Sequence, residues 1–145
     1  MHRKSLQLVG ITLALLLTLV LPAAAQQNDD AKEKAAIAAA DKFLALVDAG
    51  KYAESWSEAS SLFKSQVTQA EWVKKISRLR PVFGAVIKRT VKASHFMESP
   101  PGAPDGAYVR IIFQSSFEKK KDTLEIVTPS LDADGEWRVS GYFMK

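Results

Sequence analysis

Tyr108-Val109-Arg110-Ile111-Ile112-Phe113-Gln114-Ser115-Ser116-Phe117 alternates with a period of two: Val109, Ile111, Phe113, Ser115 and Phe117 fall on one side, and Tyr108, Arg110, Ile112 and Gln114 on the other. Successive side chains of an extended chain point to opposite faces, so this is a strand with one side in a core. Its other side faces solvent, a second sheet layer or a partner subunit. Working outward, Val86–Met97, Thr123–Leu131 and Glu136–Met144 carry the same period. The segments between them are turn formers: Ser99-Pro100-Pro101-Gly102-Ala103-Pro104-Asp105-Gly106, the lysines 119–121, and Asp132-Ala133-Asp134-Gly135. Short connections predict antiparallel neighbours, hence a four-stranded meander. In the last strand the alternation predicts Trp137, Val139, Gly141 and Phe143 on the core side.

Before Ala85 the period is near 3.6. Asp30-x-x-Glu33 has the form of a capping box, which predicts a helix from about Ala31. Ile37, Ala40, Phe43, Leu44 and Val47 form its apolar stripe, and Gly50 ends it. Lys51–Phe63 reads as a second helix with Tyr52, Trp56, Ala59 and Phe63 on one side. A third runs from the capping box Thr68-x-x-Glu71 to Pro81, which cannot continue a helix interior. The fold class is therefore α+β: three N-terminal helices packed on a curved four-stranded antiparallel sheet, in one domain over residues 26–145.

Residues 1–25 read as a cleaved signal peptide. His2, Arg3 and Lys4 precede an uncharged apolar run from Leu6 to Leu21, then Pro22 and the small triplet Ala23, Ala24, Ala25. The run of roughly 16 residues is shorter than the about 20 a membrane span needs. Cleavage after Ala25 places the domain in the periplasm or outside the cell, with no stable membrane anchor. The chain has no cysteine, so lipid attachment, disulfides and thiolate chemistry are excluded. Lys and Arg number 20 against 16 Asp and Glu, and removing Arg3 and Lys4 leaves 18 against 16. That near balance argues against a nucleic-acid partner. The two basic clusters, Lys74, Lys75, Arg78 and Arg80, and Lys119–Lys121, read as a solvated helix side and a turn that protects sheet edges.

Three stretches carry a resemblance: Asp48-Ala49-Gly50-Lys51-Tyr52-Ala53-Glu54-Ser55-Trp56, Gly102-Ala103-Pro104-Asp105-Gly106-Ala107-Tyr108-Val109, and Asp134-Gly135-Glu136-Trp137-Arg138-Val139-Ser140-Gly141-Tyr142. With them the chain resembles an exported bacterial family known as a domain of unknown function. Helices followed by a curved sheet ending in Trp-Arg-Val-x-Gly-Tyr also look like the cone-shaped nuclear transport factor 2-like superfamily. That superfamily includes ketosteroid isomerases, polyketide cyclases and non-catalytic relatives, and its catalytic pattern aligns with no residue here. The resemblance implies a fold, and fold does not imply function.

Few residues carry candidate chemistry. His95 is the one histidine beyond the leader, and its register with Ile87, Arg89, Val91 and Ala93 makes it a pocket candidate as base or hydrogen-bond donor. Ser115 and Thr128 sit in register with apolar residues, where polar groups bond to backbone or line a pocket. Trp56, Trp72 and Trp137 offer flat apolar walls for a small molecule. Asp132-x-Asp134-Gly135-Glu136 is too short for a calcium loop and reads as a hairpin turn. No phosphate loop, nucleophile elbow or paired carboxylates occur, so the sequence implies no catalytic residue, metal or cofactor. The reading is a non-catalytic exported domain that binds an apolar small molecule or another protein. Two rivals are an isomerase- or cyclase-like enzyme with a pocket base, and a homodimer joined through Tyr108, Ile112 and Tyr142 on the outer sheet surface.

Overall fold

Alanine loses least on entering a helix, and the alanine-rich stretch from residue 23 forms one helix, α1 (Ala23–Asp48), in a computed structural model that describes residues 23–145. The leader reading falls mostly on residues 1–22, outside the described residues; no described helix is long and apolar enough to cross a membrane. Ala36, Ala40, Phe43, Leu44 and Val47 are its buried stripe. The capping box expected at Asp30 does not form, because the chain is already helical upstream of it. Glu33 instead turns to the sheet, where its carboxylate accepts from the Phe96 N–H at 2.9 Å and from the Ser94 hydroxyl.

The expected second helix is two, α2 (Tyr52–Ser57) and α3 (Ser61–Gln66), so the helices number four among the described residues. The break falls where Ser60 caps α3, accepting from the Phe63 N–H at 3.1 Å, while its own N–H donates to the Val139 carbonyl at 2.9 Å. The kink thus seals part of a sheet edge that one straight helix would leave open. In α4 (Gln69–Phe83) the capping box at Thr68 and Glu71 is present. The helix runs through Pro81 rather than ending there and stops at Gly84, whose φ of 76° is the left-handed region that glycine adopts freely. Pro81 sits in the last turn and so removes a single helical donor.

The strands β1 (Val86–Glu98), β2 (Ala107–Phe117), β3 (Thr123–Leu131) and β4 (Trp137–Met144) form an antiparallel sheet in the order β1-β2-β3-β4. The helices bury their stripes against its inner side, where Val109, Ile111, Phe113, Val127 and Val139 join Phe43, Phe63, Trp72 and Ile76 in the core.

Three irregularities interrupt the pairing: one makes Ile87 an extra residue between Val86 and Lys88 and leaves it exposed, and the other two change which residues face in. Opposite Thr128 and Pro129, β4 supplies Gly141 and Val139, so Ser140 is an extra residue. Opposite Phe113 and Ile112, β1 supplies Val91 and Ala93, so Lys92 is extra. A bulge inverts the alternation beyond it. Val139 and Tyr142 therefore both lie on the inner side, while Phe143 and Gly141, expected inside, lie outside. Tyr142, expected on the outer surface, packs its ring 6.0 Å from Phe43 and 6.3 Å from Trp72, centroid to centroid. Likewise Arg89 faces in and His95, paired with Arg110, faces out and is exposed.

Candidate functional site: a buried charge network under the sheet

Six elements send a polar side chain to one place beneath the sheet. Glu125 of β3 is fully buried (0% exposed). Its Oε1 accepts from Arg89 Nε at 2.7 Å and from Ser115 Oγ at 2.6 Å, and its Oε2 accepts from the Tyr142 hydroxyl. Arg89 of β1 also donates through Nη1 and Nη2 to Asp48 at the end of α1, at 2.7 and 3.0 Å. Arg80 of α4, 5% exposed, donates through Nη2 to Asp48 at 2.8 Å and places Nη1 4.0 Å from Glu125. Two guanidinium groups face two carboxylates, so the buried charges balance, as they must in a medium that solvates ions poorly.

The electrostatics follow from that packing. Burial alone would lower the Arg89 value; the bonds and charges of Asp48 and Glu125 outweigh it and raise it. Burial, then the neighbouring Glu125 carboxylate, raises the Tyr142 hydroxyl far above its ordinary value, which keeps it a donor. A general base needs a lone pair within reach of its substrate. Glu125 spends both oxygens on its neighbours. The arrangement is a brace that ties α1 and α4 to all four strands. One place in it is not saturated: Nε and Nη1 of Arg80 have no hydrogen-bond partner, and the Phe117 ring lies 4.9 Å from the guanidinium carbon.

The sequence-derived candidates do not converge. His95 is exposed on the outer side of β1. Ser115 belongs to the brace. Thr128 lines a groove of about 200 Å³ with Leu62, Met97, Pro104, Tyr108 and Gly141. Trp137 walls a different groove, about 330 Å³, between α1 and the β3–β4 hairpin. Trp56 packs against the core and donates through Nε1 to the Val67 carbonyl at 2.8 Å. Tyr108, expected exposed, is 5% exposed, because the 99–106 loop folds over it and takes its hydroxyl on the Pro104 carbonyl at 2.8 Å. The space between helices and sheet is filled by the aromatic rings of Phe43, Phe63, Trp72 and Tyr142.

The brace was readable in part. Arg80, read with Lys74, Lys75 and Arg78 as a solvated helix side, is instead buried, because it follows Trp72 and Ile76 and precedes Phe83 at helical spacing in an apolar stripe; Glu125 likewise stands between Thr123 and Val127 on the buried side of β3. A charge in an apolar register signals a buried partner. Nothing in the sequence names that partner, because Asp48 and Arg89 lie tens of residues away.

The acidic β3–β4 hairpin is occupied by its own strand. Arg138 reaches both Asp134 oxygens at 2.8 Å and Asp132 at 3.1 Å, and Asp132 also accepts from the Ser61 N–H at 3.3 Å. Among the described residues no group of three or more His, Asp or Glu could hold a metal. Hydrogen bonding from Arg138, then from the Glu136 N–H, holds the Asp134 carboxyl down to about 2 from its ordinary 3.8. A lowered value means that the group favours folding above its ordinary value and that this contribution disappears as the pH falls through about 2. A carboxyl-detected NMR titration of the folded protein should place the Asp134 midpoint near 2, and Arg138→Ala should move it up toward 3.8.

Residues 39–142 match the model of a family described as a protein of unknown function (DUF4019). No curated protein matches the chain, and no solved structure does. The likeness to the cone-shaped superfamily therefore rests on element order and the closing strand motif alone.

Proposed function

We propose, from the premise that the chain belongs to the DUF4019 family, that it is an exported, non-catalytic interaction domain that pairs with a second copy through the outer side of its sheet. The observation that carries this reading is a row of apolar side chains across all four strands. Ala93 stands opposite Ile112, Ile112 opposite Ile126, and Ile126 opposite Phe143. Phe143 is 59% exposed at the end of that row. Beside it lie the polar pair His95 and Arg110 on one flank and Thr90 and Gln114 on the other. An apolar centre with a polar rim is how specific interfaces are built. The filled helix–sheet interior supports surface recognition over a pocket, and the three-part leader in the sequence supports export.

Size sets the expected strength. Four strands about 4.8 Å apart and some 30 Å long present roughly 600 Å² per copy, near the lower limit for a specific interface. A dimer in the micromolar range is expected. Sedimentation velocity across 1–200 µM tests it: the wild-type coefficient should rise with concentration, and Phe143→Glu, which places a charge in the apolar row, should hold the protein monomeric with its melting temperature unchanged. A wild-type chain that stays monomeric over the whole range overturns the reading.

A further inference from the structure

The topology gathers basic side chains at one end of the molecule that the sequence holds far apart. β1 and β3 begin there, β2 and β4 end there, and so does α4. The β2–β3 turn is fastened to α4: the Lys119 N–H donates to the Phe83 carbonyl and the Glu118 N–H to the Ala85 carbonyl, both at 2.9 Å. The Lys119 ammonium reaches the Pro81 carbonyl at 3.2 Å, and that of Lys120 sits 5.2 Å over the Phe83 ring. Glu118 accepts from the Ala85 N–H at 3.2 Å; it and Asp122 are exposed acids beside the turn, outnumbered by the surrounding lysines. Lys145 joins the same end by pairing its backbone with Leu124.

Around this fastening Arg78, Lys88, Lys119, Lys120, Lys121 and Lys145 are exposed, and no ion pair among the described residues engages any of them. Lys74 and Lys75 extend the cluster along α4, since positions 74, 75, 78 and 82 share one side of a helix. Two bare aliphatic side chains stand among the charges, Val82 at 66% and Ile87 at 64% exposure.

We infer that this end of the domain docks on an anionic phospholipid bilayer, with the lysines and arginine at the headgroups and Val82 and Ile87 entering the interface. Basic groups near a negatively charged bilayer are attracted by about 1 kcal/mol each, within a Debye length, and apolar tips set among them add burial. A duplex or single-stranded nucleic acid fits less well. Such surfaces use exposed aromatic platforms and bidentate arginines, whereas these exposed tips are aliphatic and the charges are mostly lysine.

Vesicle co-sedimentation of the full chain tests the inference. Vesicles of phosphatidylglycerol and phosphatidylcholine in equal parts are compared with phosphatidylcholine alone, so that apolar uptake through residues 6–21 cancels, and each variant is compared with wild type on the anionic vesicles, so that the pull of Arg3 and Lys4, common to both, cancels as well. The expected result is a partition coefficient at least about 100-fold higher on the anionic vesicles in 50 mM salt, falling steeply by 300 mM. Replacing Lys119, Lys120 and Lys121 with Gln should remove roughly 100-fold of it. Arg78→Gln with Lys120→Gln and Lys121→Gln, which spares the Lys119 bond to Pro81, should remove about as much with an unchanged melting temperature. Equal uptake by both vesicles, or anionic uptake that survives both variants, overturns the proposal. So does binding to a duplex DNA oligonucleotide that these variants abolish while vesicle binding is absent.

Discussion

Glu125→Ala should lower the free energy of unfolding by about 3–5 kcal/mol, the usual cost of removing one partner from a buried ion pair. For a domain whose total is of order 5–15 kcal/mol, that is a large share, and the melting temperature should fall by roughly 10–20 °C. The reason lies in what is left behind. Arg89 Nε and Ser115 Oγ, now 2.7 and 2.6 Å from Glu125 Oε1, and the Tyr142 hydroxyl all lose their acceptor. Arg80 and Arg89 then share the single charge of Asp48. Glu125→Gln keeps an acceptor oxygen without the charge and should fall between wild type and Ala. The diagnostic variant is Glu125→Ala with Arg89→Leu, which removes one charge of each sign and leaves the Arg80–Asp48 pair at 2.8 Å intact. It should be more stable than Glu125→Ala alone. Urea unfolding followed by circular dichroism measures these three and Arg89→Leu alone. A double variant as costly as the two single changes added together would mean that the network is not coupled as its geometry requires.

This brace also marks the boundary of what the sequence discloses. Period alone placed four strands, with the bounds of Thr123–Leu131 matching, and capping chemistry placed the start of α4, because both signals are local. A bulge is one residue long and looks like any polar residue in a strand. Ser140 and Lys92 carry no such signal, so a strict alternation runs through them and puts Ala93, His95, Gly141, Tyr142 and Phe143 on the wrong side. The exposed His95 and the inward Tyr142 follow from those two positions. Tertiary choice also overrode local preference at Pro81, where the helix continues, and at Ser60, where a helix breaks to meet Val139. The candidate site was less legible than the fold. Arg80 and Glu125 betray themselves by charge in an apolar register, but a salt bridge between residues 48 and 89 has no periodic signature.

Trp72→Ala should cost a further class of stability, about 3–5 kcal/mol, through loss of buried aromatic surface and the cavity it leaves. Trp72 stands at the centre of the filled interior, 5.1 Å from Phe63, 5.8 Å from Phe43 and 6.3 Å from Tyr142 between ring centroids. Its indole N–H donates to Ser55 Oγ at 3.0 Å, and that hydroxyl donates in turn to the Tyr52 carbonyl at 2.7 Å, so the ring also anchors α2. Trp72→Phe keeps most of the apolar contact and drops only that bond, and should cost about 1–2 kcal/mol. The larger change has a second consequence. Tyr142 touches Trp72 with its ring and Glu125 with its hydroxyl, so it couples the aromatic packing to the charge brace. A cavity at position 72 lets the Tyr142 ring shift away from Glu125. Trp72→Ala combined with Glu125→Ala should therefore cost less than the two changes summed, by about 1 kcal/mol or more. Strict additivity in urea unfolding would mean that the ring stays fixed and that core and brace are independent supports. Sub-additivity would make Tyr142 the residue through which the four-stranded sheet and the helices stabilise one another.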